Sequence, residues 1–240
     1  MFALGTIINT AAIVAGGIAG LLFGNLLGQD RQESLKRVCG LATMFLGIAG
    51  AMEGMLVLKD GGLVSGQAML IVLSLAFGTA LGEILNLELG FERFGAWLKV
   101  KTGNARDSRF IDAFVVASLT VCIGAMAIVG AIKDGLLADY SILAVKSVLD
   151  FIIIAVMASA MGRGAVFSAV PVFLFQGSIT VLARLIEPIM TPAATANLSL
   201  VGSILIFAVG VNLVWDKRFA VANMLPALIF AVAAEYIPWI

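Results

Sequence analysis

The sequence predicts an all-α polytopic transmembrane helical bundle, one integral membrane domain over residues 1–240 with about eight spans. Three observations predict it. Hydrophobic residues make up 61% of the chain and charged residues 12%, whereas a soluble domain is about 45–50% apolar and about a quarter charged. Mean hydropathy is +1.09. Runs of about 20 apolar residues, the length needed to cross roughly 30 Å of hydrocarbon, recur at 4–27, 38–58, 66–86, 110–132, 141–161, 165–187, 198–214 and 220–238.

The first span has no basic n-region before it, so it is expected to stay as a helix rather than to be cleaved as a signal peptide. It carries Gly16, Gly20, Gly24 and Gly28 at intervals of four, a ridge that lets another helix approach closely. A helix of the same chain and a second copy both fit that ridge, so a homo-oligomer is compatible with it. The end of span two and the loop after it hold GAMEGMLVLKDG (50–61), which lines up with GAMAIVGAIKDG (124–135). The match suggests an internal repeat in which spans two and three correspond to spans four and five. Between spans three and four, LELGFERFGAWLKVK (87–101) sets Leu87, Phe91, Phe94, Trp97 and Leu98 among charges, the composition of an amphipathic helix on the membrane surface. Spans five and six are separated only by Gly162-Arg163-Gly164, where glycine permits a tight reversal.

Basic residues alternate from loop to loop. Loops after odd-numbered spans carry Arg31, Lys36 and Arg37, then Arg93, Lys99, Lys101, Arg106 and Arg109, then Arg163, then Lys217 and Arg218. Loops after even-numbered spans carry Lys59 and Lys133. By the positive-inside rule the first set is cytoplasmic and both termini are extracytoplasmic.

Span five contains the strongest local anomaly. Lys146 and Asp150 stand four residues apart in an otherwise apolar helix, a spacing that puts them on one face within pairing reach. Asp150 falls about 15 Å into the membrane at 1.5 Å per residue, near the midplane. Gln176 in span six and Thr120 in span four reach a similar depth, and Ser147 adjoins the pair. Asn9, Asn212 and Asn223 add candidate buried amides. A charge at mid-bilayer costs from about 2.5 to beyond 10 kcal/mol, so such residues face the bundle interior and often mark an ion or substrate path. The alternative role is a buried ion pair that fixes helix packing.

Several classes of function are disfavoured. Lys plus Arg equals Asp plus Glu, and nothing resembles a nucleic-acid footprint. Histidine is absent, which removes the commonest metal ligand and catalytic base. Cys39 and Cys122 give no disulfide framework. No G-x-S-x-G, H-E-x-x-H or CxxC occurs, and Lys146-Ser147 lacks the glycine-rich turn of a phosphate-binding loop. Neither an enzyme nor a cofactor is expected.

GTIIN (5–9), CIGAMAIVGAIKDG (122–135), Lys146-Ser147 with Asp150, GRGAVFSA (162–169), Gln176-Gly177 and Asn223-Met-Leu-Pro226 together resemble the YqgA/YdfK-like bacterial inner-membrane proteins, a domain-of-unknown-function family, over essentially the whole chain. Ala125 departs from the family pattern, which more often has proline there; its loss removes the usual cause of a kink in span four. The resemblance implies a bacterial cytoplasmic-membrane protein, loosely described as a sodium channel or pump and as affecting biofilm formation. The leading expectation is passage of a small solute, foremost a monovalent cation such as sodium or a proton. Asp150 would be the acidic ligand, Lys146 its counter-ion, and Gln176, Ser147 and Thr120 neutral oxygen donors. The other expectation is a non-transporting membrane interaction or regulatory protein. A hydrated cavity at Asp150 favours the first, a sealed pair the second.

Overall fold

The computed structural model describes residues 3–24, 28–59, 62–215 and 218–237. The apolar runs form α1 (Leu4–Gly24), α2 (Gln29–Met55), α3 (Ala68–Leu85), α5 (Phe110–Cys122), α6 (Ala125–Leu137), α7 (Ser141–Met161), α8 (Ala169–Val181), the short α9 (Ala183–Ile186), α10 (Pro192–Trp215), α11 (Val221–Met224) and α12 (Ala227–Ala234). The amphipathic segment forms α4 (Leu87–Lys101), with the predicted bounds. It lies partly on the bundle: Phe94 meets Phe114 edge-on at 5.8 Å, while Trp97 stays exposed.

Among the described residues six stretches are long and apolar enough to cross a membrane, and the bent pair α5–α6 makes a seventh. The expectation of eight is therefore approximate. The segment Val221–Ala234 is shorter than a full span, and Pro226, which lacks an N–H, separates its two helices. The end of the expected span at 238 lies outside the described residues. Span two also differs. Its helix starts at Gln29 because the polar turns before the apolar run are helical too, with Glu33 3.4 Å from Arg37. It stops at Met55, and the chain turns into a β-hairpin, β1 (Leu56–Lys59) against β2 (Gly62–Ser65), with Val57 opposite Val64.

The absence of proline at 125 does not leave span four straight. Gly124 takes φ +144°, open to glycine and rare for L side chains, and α5 meets α6 at 63°. This break also separates the two matched strings in structure. Gly50-Ala51-Met52 lies inside α2, whereas Gly124 lies in the break after α5 and Ala125 begins α6. Lys59 belongs to a strand and Lys133 to a helix, while Asp60 and Gly61 lie outside the described residues.

Glycine sets which helices touch. A Cβ on Gly16 or Gly20 would collide with the backbone carbonyls of Phe151 and Ala155, and one on Gly24 would sit 2.8 Å from that of Ser159. The ridge of α1 is therefore filled by α7 of the same chain, and the two helices run parallel. A Cβ on Gly28 meets nothing within 4 Å among the described residues, so Gly28 lies off the seam. In the same way α2 packs antiparallel on α10, with Gly40 near Gly210 and Gly54 near Leu200. α3 packs on α11 and α12 through Gly82 and Gly78.

These pairings bring the basic loops to one end of the bundle. Arg109 donates to Gln32 Oε1 at 3.4 Å, and Arg163 donates to Asn104 Oδ1 at 3.3 Å. At the same end the backbone N–H of Glu88 donates to Asn223 Oδ1 (2.7 Å), and the Glu88 carboxylate accepts the N–H of Ala222 (3.0 Å). Two of the candidate buried amides thus serve helix ends at this end of the bundle rather than mid-membrane: Asn223 at the start of α4, and Asn212 after α10 by accepting the N–H groups of Arg218 and Phe219.

Candidate functional site

Lys146 and Asp150 are inside the bundle. The Lys146 Nζ donates to both carboxylate oxygens of Asp150, at 2.7 and 2.8 Å, and the two residues are 8% and 2% exposed. One helical turn separates them on α7, so the pair is local to one helix. Its surroundings come from others. On α1, Asn9 Nδ2 donates to Asp150 Oδ2 at 3.0 Å and to Gln176 Oε1 of α8 at 3.2 Å. The Asn9 Oδ1 and Gln176 Nε2 atoms are buried and have no hydrogen-bond partner. Leaving such an atom unmet typically costs about 1–3 kcal/mol, so each is an open position for a donor or acceptor.

The predicted residues divide. Lys146 and Asp150 pair directly, and Gln176 is linked to them through Asn9. Ser147 and Thr120 do not join by hydrogen bonds: the Ser147 hydroxyl donates to the Ala144 carbonyl (2.7 Å) and the Thr120 hydroxyl to that of Val116 (2.8 Å). Asn9, named in the sequence only as a buried amide, bridges the carboxylate to Gln176.

A second polar layer lies beyond the residues predicted from the sequence. One turn from Asn9, Thr6 of α1 shares a 3.4 Å hydrogen bond with Thr180 of α8. Thr180 donates to the Gln176 carbonyl at 3.0 Å, which leaves Thr6 as the donor between the two hydroxyls. Asp134 of α6 stands beyond them and accepts the N–H groups of Gly5 (2.9 Å) and Thr6 (3.4 Å) through Oδ2. The signal was present: Thr6 and Asn9 are three apart and Gln176 and Thr180 four apart, each pair a polar stripe on one face of an apolar helix.

The break in α5–α6 lies at the depth of the charged pair. Gly130 packs against Ile142 and Leu143, and α6 runs antiparallel to α7. Counting from that contact back to Gly124 and forward along α7 by the same number reaches Val148, between Lys146 and Asp150.

Two cavities flank this region. One of about 320 Å³ at the basic end is lined by Lys36, Glu88, Glu92 and Asp112. The other, about 660 Å³, is apolar, with Ile123, Phe175, Leu198 and Pro226 among its lining residues. Neither includes Lys146 or Asp150. Ahead of α7, outside the span, hydrogen bonds from Ser141 hold the Asp139 carboxyl below the usual carboxylate range. Among the described residues no cluster of three or more Cys, Asp or Glu side chains could hold a metal ion.

Long apolar helices closed around a buried ion pair define a multi-pass integral membrane protein, and its environment is a lipid bilayer. The chain belongs to the family described as "Protein of unknown function (DUF554)", whose profile matches residues 4–236. It is 33% identical over 225 residues to the "Uncharacterized membrane protein YdfK" of Bacillus subtilis (strain 168), covering 94% of this chain and 92% of that protein. It is 31% identical over 242 residues to the "Uncharacterized protein YqgA" of Escherichia coli (strain K12), covering 98% of each. No solved structure matches it.

Proposed function

We propose that this protein passes a small monovalent cation, sodium or a proton, across the membrane. Asp150 is the acceptor, and Lys146 is the counter-ion displaced or neutralised as the cation binds. The observation that carries the reading is the buried cluster: Asn9 Oδ1 and Gln176 Nε2 stand unpartnered beside a carboxylate that Lys146 already holds. An oxygen ligand for a cation is thus in place next to the acid. A span broken at the same depth supports the reading, since secondary transporters set ion sites near the midplane at discontinuous helices. For Ser147 and Thr120 to act as ligands, their hydroxyls must turn away from the carbonyls they now serve. The sealed arrangement is then an occluded state.

A second reading has its own observation. The pair is enclosed and neither of the two cavities reaches it, which suits an architectural ion pair in a non-transporting interaction or regulatory protein. Flux separates the two. Wild-type protein in liposomes is expected to dissipate an imposed sodium or proton gradient, read by entrapped ion-sensitive dyes, and folded Asp150→Asn protein is expected to do so no faster than empty liposomes. Equal flux from both proteins refutes the Asp150 site.

We further place the protein in a bacterial cytoplasmic membrane with its basic end inside, on the strength of the Lys/Arg distribution. Reporter fusions at the N-terminus, at residue 103 and at the C-terminus should read outside, inside and outside. A cytoplasmic C-terminus would overturn the orientation.

A further inference from the structure

We propose that Asp134 is a second acceptor of a monovalent cation, a proton or an alkali ion, set one layer from the Asn9–Asp150 cluster toward the end opposite the basic loops. Its place in a path rests on the transport reading, but its binding does not.

Asp134 is 1% exposed. Its Oδ2 is held by the N–H groups at the start of α1, where the helix dipole favours negative charge. Its Oδ1 is buried and has no partner. Asp150 has a neutralising ammonium; Asp134 has none, for no Lys or Arg lies within ion-pair distance of it among the described residues. The elements packed on α6 explain why. Helices α1, α8 and α10 contain no charged residue. On α7, Lys146 and Asp150 are committed to one another. Lys133 of α6 and Arg184 of α9 are exposed. A buried carboxylate without a countercharge recruits a cation or a proton.

The surroundings suit that ligand. Thr6 and Thr180 are 0% and 1% exposed. A Cβ on Gly135, the residue after Asp134, would collide with the Thr180 carbonyl, so α6 packs closely on the α8 backbone at Thr180. Thr6 lies one turn from Asn9, and Thr180 one turn from Gln176. The two layers are therefore about 5 Å apart along the helices at 1.5 Å per residue, on one seam between α1 and α8.

The competing role is a helix cap alone. Asparagine caps as well as aspartate, so Asp134→Asn keeps the cap and removes the charge. The test uses full-length purified protein in a Lys146→Met, Asp150→Leu background, which silences the central pair. The wild-type background serves the same comparison if that variant does not fold. One arm follows the infrared band of a protonated carboxyl across pH. The other follows the unfolding midpoint in sodium chloride against choline chloride at fixed ionic strength and pH. A pH-dependent band lost in Asp134→Asn identifies a proton; a sodium-dependent midpoint lost in Asp134→Asn identifies an alkali ion. If folded Asp134→Asn retains every response, or neither background responds, Asp134 is a cap only and the inference is overturned. Failure of the Asp150 site is read separately, by flux.

Discussion

Replacing Lys146 alone with methionine is expected to lower stability by about 3–5 kcal/mol, the usual result of removing one partner from a buried ion pair. The Asp150 carboxylate would be left with the single Asn9 amide as donor. Asp150→Leu should destabilise to a similar degree, because it strands an ammonium whose partner among the described residues is Asp150. Replacing both with apolar residues should recover most of the loss, since a buried pair exchanged for hydrophobic side chains is often neutral. The measurement is denaturation in detergent of both single variants and the double variant. Single variants as stable as wild type would mean that the pair is solvated. Full ion flux from a stable double variant would leave the pair as architecture.

Gly20→Leu is expected to prevent recovery of folded protein. Even one methylene forced into a packed interior costs typically 1–3 kcal/mol, and here the first added carbon already collides with the Ala155 backbone carbonyl, which cannot turn aside as a side chain can. Gly28→Leu is the matched control. It belongs to the same four-residue series, but a Cβ there meets nothing within 4 Å, so its effect should fall within about 0.5 kcal/mol. Folded yield and melting temperature of both variants decide the matter. A normal Gly20→Leu protein would show that α1 and α7 do not pack on this seam.

What was legible in the sequence depended on the range of the interaction. Apolar length identified the spans, and the i, i+4 spacing identified the Lys146–Asp150 pair, because both are properties of a single helix. The amphipathic α4 was legible for the same reason. The hairpin at 56–65 was hidden by its apolar content, although Asp-Gly between apolar runs is a hairpin signal. The break at Gly124 does not follow from the residue at 125, because a neighbouring glycine can interrupt a helix as a proline does. Asn9, Thr6, Thr180 and Asp134 were not assembled because they come from three helices. Their partnership depends on the glycine contacts that draw α1 onto α7 and α6 onto α8, and on side-chain register across the bundle, which no single-helix pattern encodes.

The parallel pairing of α1 with α7 bears on how the protein is made. Asn9 leaves the ribosome 141 residues before the carboxylate it binds, and α2 likewise waits for α10. The earliest helices must therefore stay in the bilayer with glycine seams and polar side chains unmatched until most of the chain has been synthesised. Domains that complete their contacts late are exposed to misassembly in the interval. Chains stalled or truncated before Ser141 would lack the surface that closes around α1, making them natural substrates for membrane proteases that survey incompletely assembled helices.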